Sequence, residues 1–266
     1  ESKQIPPPTW TLEENKKKQE LETEIKIWKE KKNHEEFSPP VYYSLAGLWY
    51  KIGKLVGMRD GVSIYWIRFL NVFIYVTLFW VTYFFIRGIY PENISIHLSI
   101  LSLLSVFPQD VFYSLNSDVL SSLFALLTIL FLSKIYFLEA SISHYLLAGL
   151  FLSFAFLSKI ANIPLVVTCA LILLLYLKKL LSLREQTQNY YKIFYFVIAS
   201  LLPVSLWIFY NWTVLGDLMG TSDKIHELGW TIKPSSEILN HPIFTWKGLS
   251  YFLSNVFKTF WRGELM

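Results

Sequence analysis

Residues 140–177, ASISHYLLAGLFLSFAFLSKIANIPLVVTCALILLLYL, decide the fold. Lys159 is the single Lys, Arg, Asp or Glu in this stretch, and most of the other side chains are apolar. A helix needs about 20 apolar residues to cross roughly 30 Å of hydrocarbon. The stretch therefore predicts two membrane spans that meet at a tight turn around Lys159, close to Asn162 and Pro164.

The composition of the whole chain also indicates a membrane protein. Of 266 residues, 53% are hydrophobic and only 17% are charged, whereas soluble domains carry roughly 25% charged residues. A single cysteine excludes a disulfide framework and a zinc site built on cysteine pairs. The net charge of +4 gives no indication of a nucleic-acid partner, and no nucleotide-binding motif is present.

Uncharged stretches of near-spanning length predict an all-α, polytopic membrane bundle with six spans. They are Phe69–Ile86, Asn93–Gln109, Val119–Ser133, Ala140–Ser158, Ile160–Leu177 and Ile193–Gly216. We therefore expect a six-span membrane domain at 61–216. An outer segment at 1–60 precedes it and contains an interfacial helix within 39–56. A second outer segment at 217–266 contains an amphipathic helix.

Lysine and arginine in the short loops predict the orientation of the bundle. The loop 178–192 is strongly basic, so it and the other loops on its side are expected in the cytoplasm. Arg68, Asp110, Asp118 and Lys159 then fall at the outer ends of spans. Charges at a membrane edge are costly and are therefore candidates for a functional site.

Each of these charges also has a structural interpretation. Asp118 follows Asn116-Ser117, so it could be a general base, a metal ligand or a helix cap. Lys159 and Arg68 could each bind a phosphate or anchor a helix at the interface. A His34-Glu35-Glu36 cluster could hold a divalent metal, although adjacent residues point in different directions.

Several motifs, in order along the chain, resemble those of glycosyltransferases of the GT-C fold that use polyprenyl-phosphate sugars. The bacterial branch related to protein O-mannosyltransferases and the aminoarabinose transferase of lipid A is the most similar. Ser38–Tyr43 resembles that group's Pro-Pro-Leu-Tyr-Tyr signature, and Tyr65–Leu70 its entry to the next span. Asn116–Asp118 resembles its acidic outer-loop motif. Ala148–Lys159 resembles its Gly-Leu element that ends in lysine, and Tyr210–Asp217 more weakly matches a later stretch.

The resemblance implies an inverting glycosyltransferase that acts on the outer face of the membrane. The donor would be a polyprenyl-phosphate-linked sugar, and the acceptor a glycan, lipid or protein. Asp118 inherits the acidic role and Lys159 the contact with the lipid phosphate, with Arg68 as a second phosphate contact. A divalent metal is left open, and no other cofactor is implied. Further residues expected to line the site are Glu36, Tyr42, Tyr43, Asp110, Asn116 and Asn211.

We thus expect an integral, multi-pass protein of a bacterial inner membrane, with its site on the extracytoplasmic face and in contact with membrane lipids. In this mechanism a carboxylate removes the proton of the acceptor hydroxyl while lysine and arginine offset the charge on the departing lipid phosphate. No nucleotide is required, in keeping with the absence of nucleotide motifs.

The sequence also departs from the pattern of that group. Ser38 replaces a basic residue, Tyr210 replaces an arginine, and Leu218 replaces a proline. The group's first span and the acidic residue that follows it have no match at the start of this chain, so we expect the sequence to be a piece of a longer one. These departures favour an alternative function, a non-catalytic lipid-carrier binder or scaffold subunit. A transporter is the third alternative. It predicts charges near the bilayer midplane, whereas the charges of this sequence fall at the ends of spans.

Overall fold

The computed structural model describes residues 13–30, 38–106, 114–138, 140–182, 188–220, 222, 225, 229, 231 and 234–262. This part of the chain contains helices and no strand, which confirms the all-α prediction. The α-helices are α1 (Glu14–Glu30), α2 (Pro40–Leu55), α3 (Asp60–Ile89), α4 (Ile94–Ser105), α5 (Asp118–Phe137), α6 (Ile142–Ser158), α7 (Ile163–Ser182), α8 (Gln188–Tyr210) and α9 (Trp246–Arg262).

Four helical segments of the described chain are long and apolar enough to cross a membrane. They are Gly61–Ile89, Asp118–Phe137, Ile160–Lys179 and Tyr191–Leu215. The predicted second and fourth spans form the shorter apolar helices α4 and α6, of 12 and 17 residues. The structure is therefore a polytopic helical bundle, and the count of six spans stays a prediction.

Helix α2 lies against α3 and leaves several of its large apolar side chains exposed. Its buried residues are Tyr42, Ala46 and Gly53, whereas Leu48 and Leu55 are exposed. Gly53 is required because a Cβ there would lie 2.4 Å from the Trp66 ring. The exposed apolar side chains remain available to lipid, as expected of an interfacial helix.

Two tryptophans join α2 to α3. The rings of Trp49 and Trp66 stack with their centroids 4.5 Å apart. Each indole N–H donates to the backbone carbonyl of the other residue, both at 2.8 Å. Since an indole N–H needs a partner when it is buried, this reciprocal pair holds the start of α3 against α2.

Helix α6 lies at the centre of the bundle, between α5 and α8. Small residues allow the close approach: Ala148 and Ala155 are fully buried. A Cβ on Gly149 would lie 2.4 Å from the carbonyl oxygen of Phe196 in α8. Helices in a membrane gain little from the hydrophobic effect and pack through such small residues instead. The approach of α6 to α5 brings the start of α5 beside the end of α6.

Helices α1 and α9 are both largely exposed. α1 is charged and largely exposed, in agreement with a solvated surface helix. α9 is amphipathic, with exposed Phe252, Val256 and Phe257 in its apolar stripe.

Candidate functional site

An ion pair between Asp118 and Lys159 forms the centre of the site. Lys159 Nζ donates to Asp118 Oδ1, although 41 residues separate the two in sequence. Asp118 is the first residue of α5, and Lys159 directly follows the last residue of α6. The side chains are 31% and 46% exposed, so both groups remain accessible to a ligand.

A turn between α6 and α7 holds Lys159. The backbone of Lys159 is extended and its N–H donates to Ala155 O at 3.1 Å, which ends α6. Asn162 Nδ2 lies within hydrogen-bond distance of Ala155 O (2.7 Å), Lys159 O (3.1 Å) and Ser121 Oγ (2.7 Å). The same amide therefore ties the turn to the first part of α5.

Two asparagines hold the segment before Asp118. Asn116 Oδ1 accepts a hydrogen bond from the Asp118 N–H at 3.0 Å. Asn71, fully buried in α3, donates from Nδ2 to the carbonyl oxygens of Ser114 and Asn116, both at 3.4 Å. Asn116 thus forms an Asx turn before α5, Ser117 is the N-cap and makes no side-chain capping bond, and the Asp118 carboxylate pairs with Lys159.

Tyr42 completes this polar network from α2. Its hydroxyl donates to Asn71 Oδ1 at 3.0 Å, and the side chain is fully buried. Burial raises the pKa of Tyr42, while hydrogen bonds with Asn71 and the Asn116 backbone lower it in part. Tyr42 is therefore a neutral donor at physiological pH, and its role in lining the site stays a prediction.

Arg68 lies one helical turn before Asn71 on α3. Its Cζ is 5.9 Å from the centre of the Tyr65 ring. Its Nε is buried and has no hydrogen-bond partner among the described residues. Within that part of the chain no hydrogen bond or ion pair joins Arg68 to Asp118 or Lys159, so its role as a second phosphate contact stays a prediction.

The remaining predicted residues have separate positions. The Tyr43 ring packs edge-on to Tyr42, with centroids 5.4 Å apart. Asn211 is buried in the π-helical turn Asn211–Leu215 and donates to Leu218 O at 3.4 Å, which stabilises its own turn. Asp110 and Glu36 lie outside the described residues. The described part of the chain holds no group of three or more His, Cys, Asp and Glu side chains that could bind a metal.

Sequence reasoning missed the role of two amides. Asn71 was overlooked because it lies within an apolar span without a charge, yet an amide in such a run is itself a signal: it must find partners inside the bundle. Asn162 was recognised as a turn residue, but its bond to Ser121 depends on how α5 packs against α6. These contacts are tertiary, and no spacing rule within one helix predicts them.

One comparison with known proteins gives a match. A family described as "Predicted membrane protein (DUF2142)" matches residues 8–261, which is most of the chain. No curated protein and no solved structure matches the chain significantly.

Proposed function

The chain belongs to the DUF2142 family of predicted membrane proteins, and from that premise we propose that it is a membrane glycosyltransferase. It moves a sugar from a polyprenyl-phosphate donor to an acceptor hydroxyl on the extracytoplasmic face of the membrane. The observation that carries the proposal is the Asp118–Lys159 ion pair. It joins the acid and the cation that the resemblance assigns to the site.

The donor can activate the pair when it binds. A lipid phosphate is a strong acceptor for an ammonium group, so it competes with Asp118 for Lys159. The carboxylate is then freed to accept the proton of the acceptor hydroxyl as the hydroxyl oxygen attacks the anomeric carbon. The bond from that carbon to the phosphate oxygen breaks, and its electron pair leaves with the polyprenyl phosphate. Lys159 offsets the charge that develops on this leaving group.

The network around Asp118 supports the same chemistry. Asn116 and Asn71 hold the start of α5, and Asn162 holds the turn that carries Lys159. A site is effective when its reacting groups are held in place by neighbouring contacts rather than by their own flexible side chains. Arg68 is half-buried with an unpaired Nε among the described residues, and we assign it the role of a second cation for the phosphate.

A non-catalytic lipid-carrier binder is the second candidate function. The ion pair also favours it, since a carboxylate that is neutralised by Lys159 is not a free base. In that case Lys159 binds the lipid phosphate and no bond is broken. The two functions differ in whether the bond between the sugar and the polyprenyl phosphate is broken.

The full-length protein is expressed in a strain that lacks it. Membranes from that strain are then supplied with a panel of polyprenyl-phosphate sugars. We measure the release of free polyprenyl phosphate and the binding of each donor. The variant is Asp118→Asn, and the matched control is Glu92→Gln, an exposed acid in the turn after α3. A transferase releases polyprenyl phosphate and loses at least about 100-fold in rate with Asp118→Asn, but not with Glu92→Gln.

Each other result contradicts the proposal in whole or in part. Donor binding without any release of polyprenyl phosphate would establish the binder. Binding of no donor in the panel would exclude both candidates. Equal release by wild type and Asp118→Asn would remove Asp118 from the mechanism.

A further inference from the structure

Three lysines lie at the end of the α5–α6 pair that is opposite the Asp118–Lys159 ion pair. Lys134 is in the last turn of α5, Lys179 in that of α7, and Lys192 in α8. Lys179 Nζ donates to Tyr136 O at 3.4 Å, and Lys192 Nζ donates to Ala140 O at 3.2 Å. We call Lys134, Lys179 and Lys192 the lysine cluster.

Among the described residues, no contact of the lysine cluster offsets its charge. Its partners are backbone carbonyls and aromatic rings: Lys179 Nζ lies 5.3 Å from the Tyr136 ring centre, and Lys134 Nζ lies 5.5 Å from that of Phe131. Within the described residues no carboxylate forms an ion pair with these lysines. An ammonium group has three donors, so each of them retains capacity for an anion.

The sequence around the cluster is basic whatever the position of its acids. Segments 134–139 and 178–192 together contain five basic residues and two acidic ones, Glu139 and Glu185, which lie outside the described residues. The basic residues are Lys134, Lys178, Lys179, Arg184 and Lys192. The two segments therefore carry a net charge of +3.

Apolar side chains beside the lysines indicate the rest of the ligand. Phe137, Leu175 and Phe194 are 77%, 58% and 61% exposed. Each lies within about one helical turn of a cluster lysine in sequence. An anion that binds the lysines while its tail covers these side chains must be amphipathic, which a free phosphate ion is not.

We propose that the lysine cluster binds the phosphate of an anionic phospholipid, whose acyl chains lie along Phe137, Leu175 and Phe194. Basic pockets between membrane helices recognise anionic headgroups in this way. The site is independent of the proposed reaction, since it lies at the other end of α5. It would hold α5, α7 and α8 together through one lipid headgroup.

The test compares the full-length Lys179→Gln/Lys192→Gln variant with wild type and with Lys16→Gln/Lys17→Gln. The control removes the same charge from the exposed surface of α1. We measure the phosphatidylglycerol retained after purification by native mass spectrometry, and the thermal unfolding temperature in detergent with added phosphatidylglycerol, phosphatidylcholine or inorganic phosphate. Loss of the two cluster lysines is expected to weaken phosphatidylglycerol binding by about tenfold or more, and the control is expected to retain it.

Further measurements distinguish a lipid-binding site from other roles of the lysines. Phosphatidylglycerol is expected to raise the unfolding temperature of wild type, while phosphatidylcholine and inorganic phosphate are not. Lys179→Arg/Lys192→Arg is expected to restore binding, because arginine also binds phosphate. Equal phosphatidylglycerol retention in the glutamine variant and its control would overturn the proposal, as would an equal shift with inorganic phosphate. An unfolding temperature lowered by the same amount in both lipids would show that the lysines act only within the protein.

Discussion

The two ends of α5 use lysine in different ways. At its beginning, Lys159 pairs with Asp118 and is held in place by Asn162. At its other end, Lys179 and Lys192 contact only backbone carbonyls and a ring among the described residues. The residue type is the same, and the surrounding partners decide what each lysine can bind.

The difference shows why a membrane-edge lysine is not by itself a catalytic residue. A lysine that faces neutral groups offers a fixed positive charge, which suits an anionic headgroup. A lysine paired with a carboxylate offers two groups of opposite charge that a single substrate can separate. The network of amides behind Asp118 and Lys159 has no counterpart among the described contacts of the lysine cluster.

Reversal of the ion pair gives the largest expected effect. In the double variant Asp118→Lys/Lys159→Asp, opposite charges still face each other, so the protein is expected to unfold at a higher temperature than either single reversal. Transfer is expected to fall by at least about 100-fold, because the base then stands on the wrong side of the donor. Thermal unfolding and release of polyprenyl phosphate measure the two effects. A double variant with wild-type transfer would show that the pair serves only the fold.

Loss of the buried Asn71 amide is expected to affect the Asp118 end of α5 more than its other end. Asn71→Leu removes the hydrogen bonds that Asn71 makes with the Tyr42 hydroxyl and with two backbone carbonyls, at a cost of about 1–3 kcal/mol. Because the segment before Asp118 is then released, transfer falls as well. The free energy of unfolding in detergent and the transfer rate are the measurements.

The matched control for Asn71→Leu is Asn93→Leu. Asn93 is exposed and caps α4 by accepting from the Ile96 N–H at 3.1 Å. Loss of that cap costs about 1 kcal/mol and leaves Asp118 in place, so transfer is expected to persist. If both variants lost transfer in proportion to stability, the amide in α3 would have no positioning role.

Truncation of the paired lysine is expected to weaken donor binding more than folding. Lys159→Ala removes a charge-assisted hydrogen bond to the lipid phosphate, which lowers donor affinity by about tenfold. The stability change is smaller, since the ion pair is partly exposed. Donor titration and thermal unfolding provide the comparison, with Lys16→Ala, a change of an exposed lysine in α1, as the control. Donor affinity that is unchanged by Lys159→Ala would contradict its assignment.

Much of the fold could be predicted because apolar stretches of spanning length form helices in almost any context. The turn at Lys159 is one example, since a single charge in a long apolar run marks its end. The inward face of α2 could not be predicted in this way. Its buried positions include Gly53, and a glycine is significant only where another side chain, here Trp66, occupies its space.

The sequence predicted individual residues of the candidate site, but it did not predict how they are arranged in space. Asp118 and Lys159 each stood out as charges at membrane edges, but their contact depends on the close packing of α5 and α6. Asn71 carries no charge, so the rule that charges at a membrane edge are costly did not select it. The partner of a buried amide is set by tertiary packing, which local patterns do not contain.

The smallest expected effect concerns the hydroxyl that completes the network. Tyr42→Phe removes one buried hydrogen bond, so we expect a loss of about 1 kcal/mol in the free energy of unfolding at neutral pH. The control is Tyr50→Phe, which changes an exposed tyrosine of the same helix and is expected to alter stability little.

The pH dependence identifies the cause of this loss. Burial raises the pKa of Tyr42 in the folded protein above its ordinary value near 10. Above about pH 10 the unfolded chain therefore releases this proton while the folded protein keeps it, so the stabilisation from Tyr42 falls as pH rises further. The difference in stability between wild type and Tyr42→Phe should then shrink between pH 10 and 11, as measured by denaturant unfolding in detergent. A difference that stayed constant over this range would mean that Tyr42 ionises alike in both states, and that the end of α5 near Asp118 is open to water rather than closed by α2.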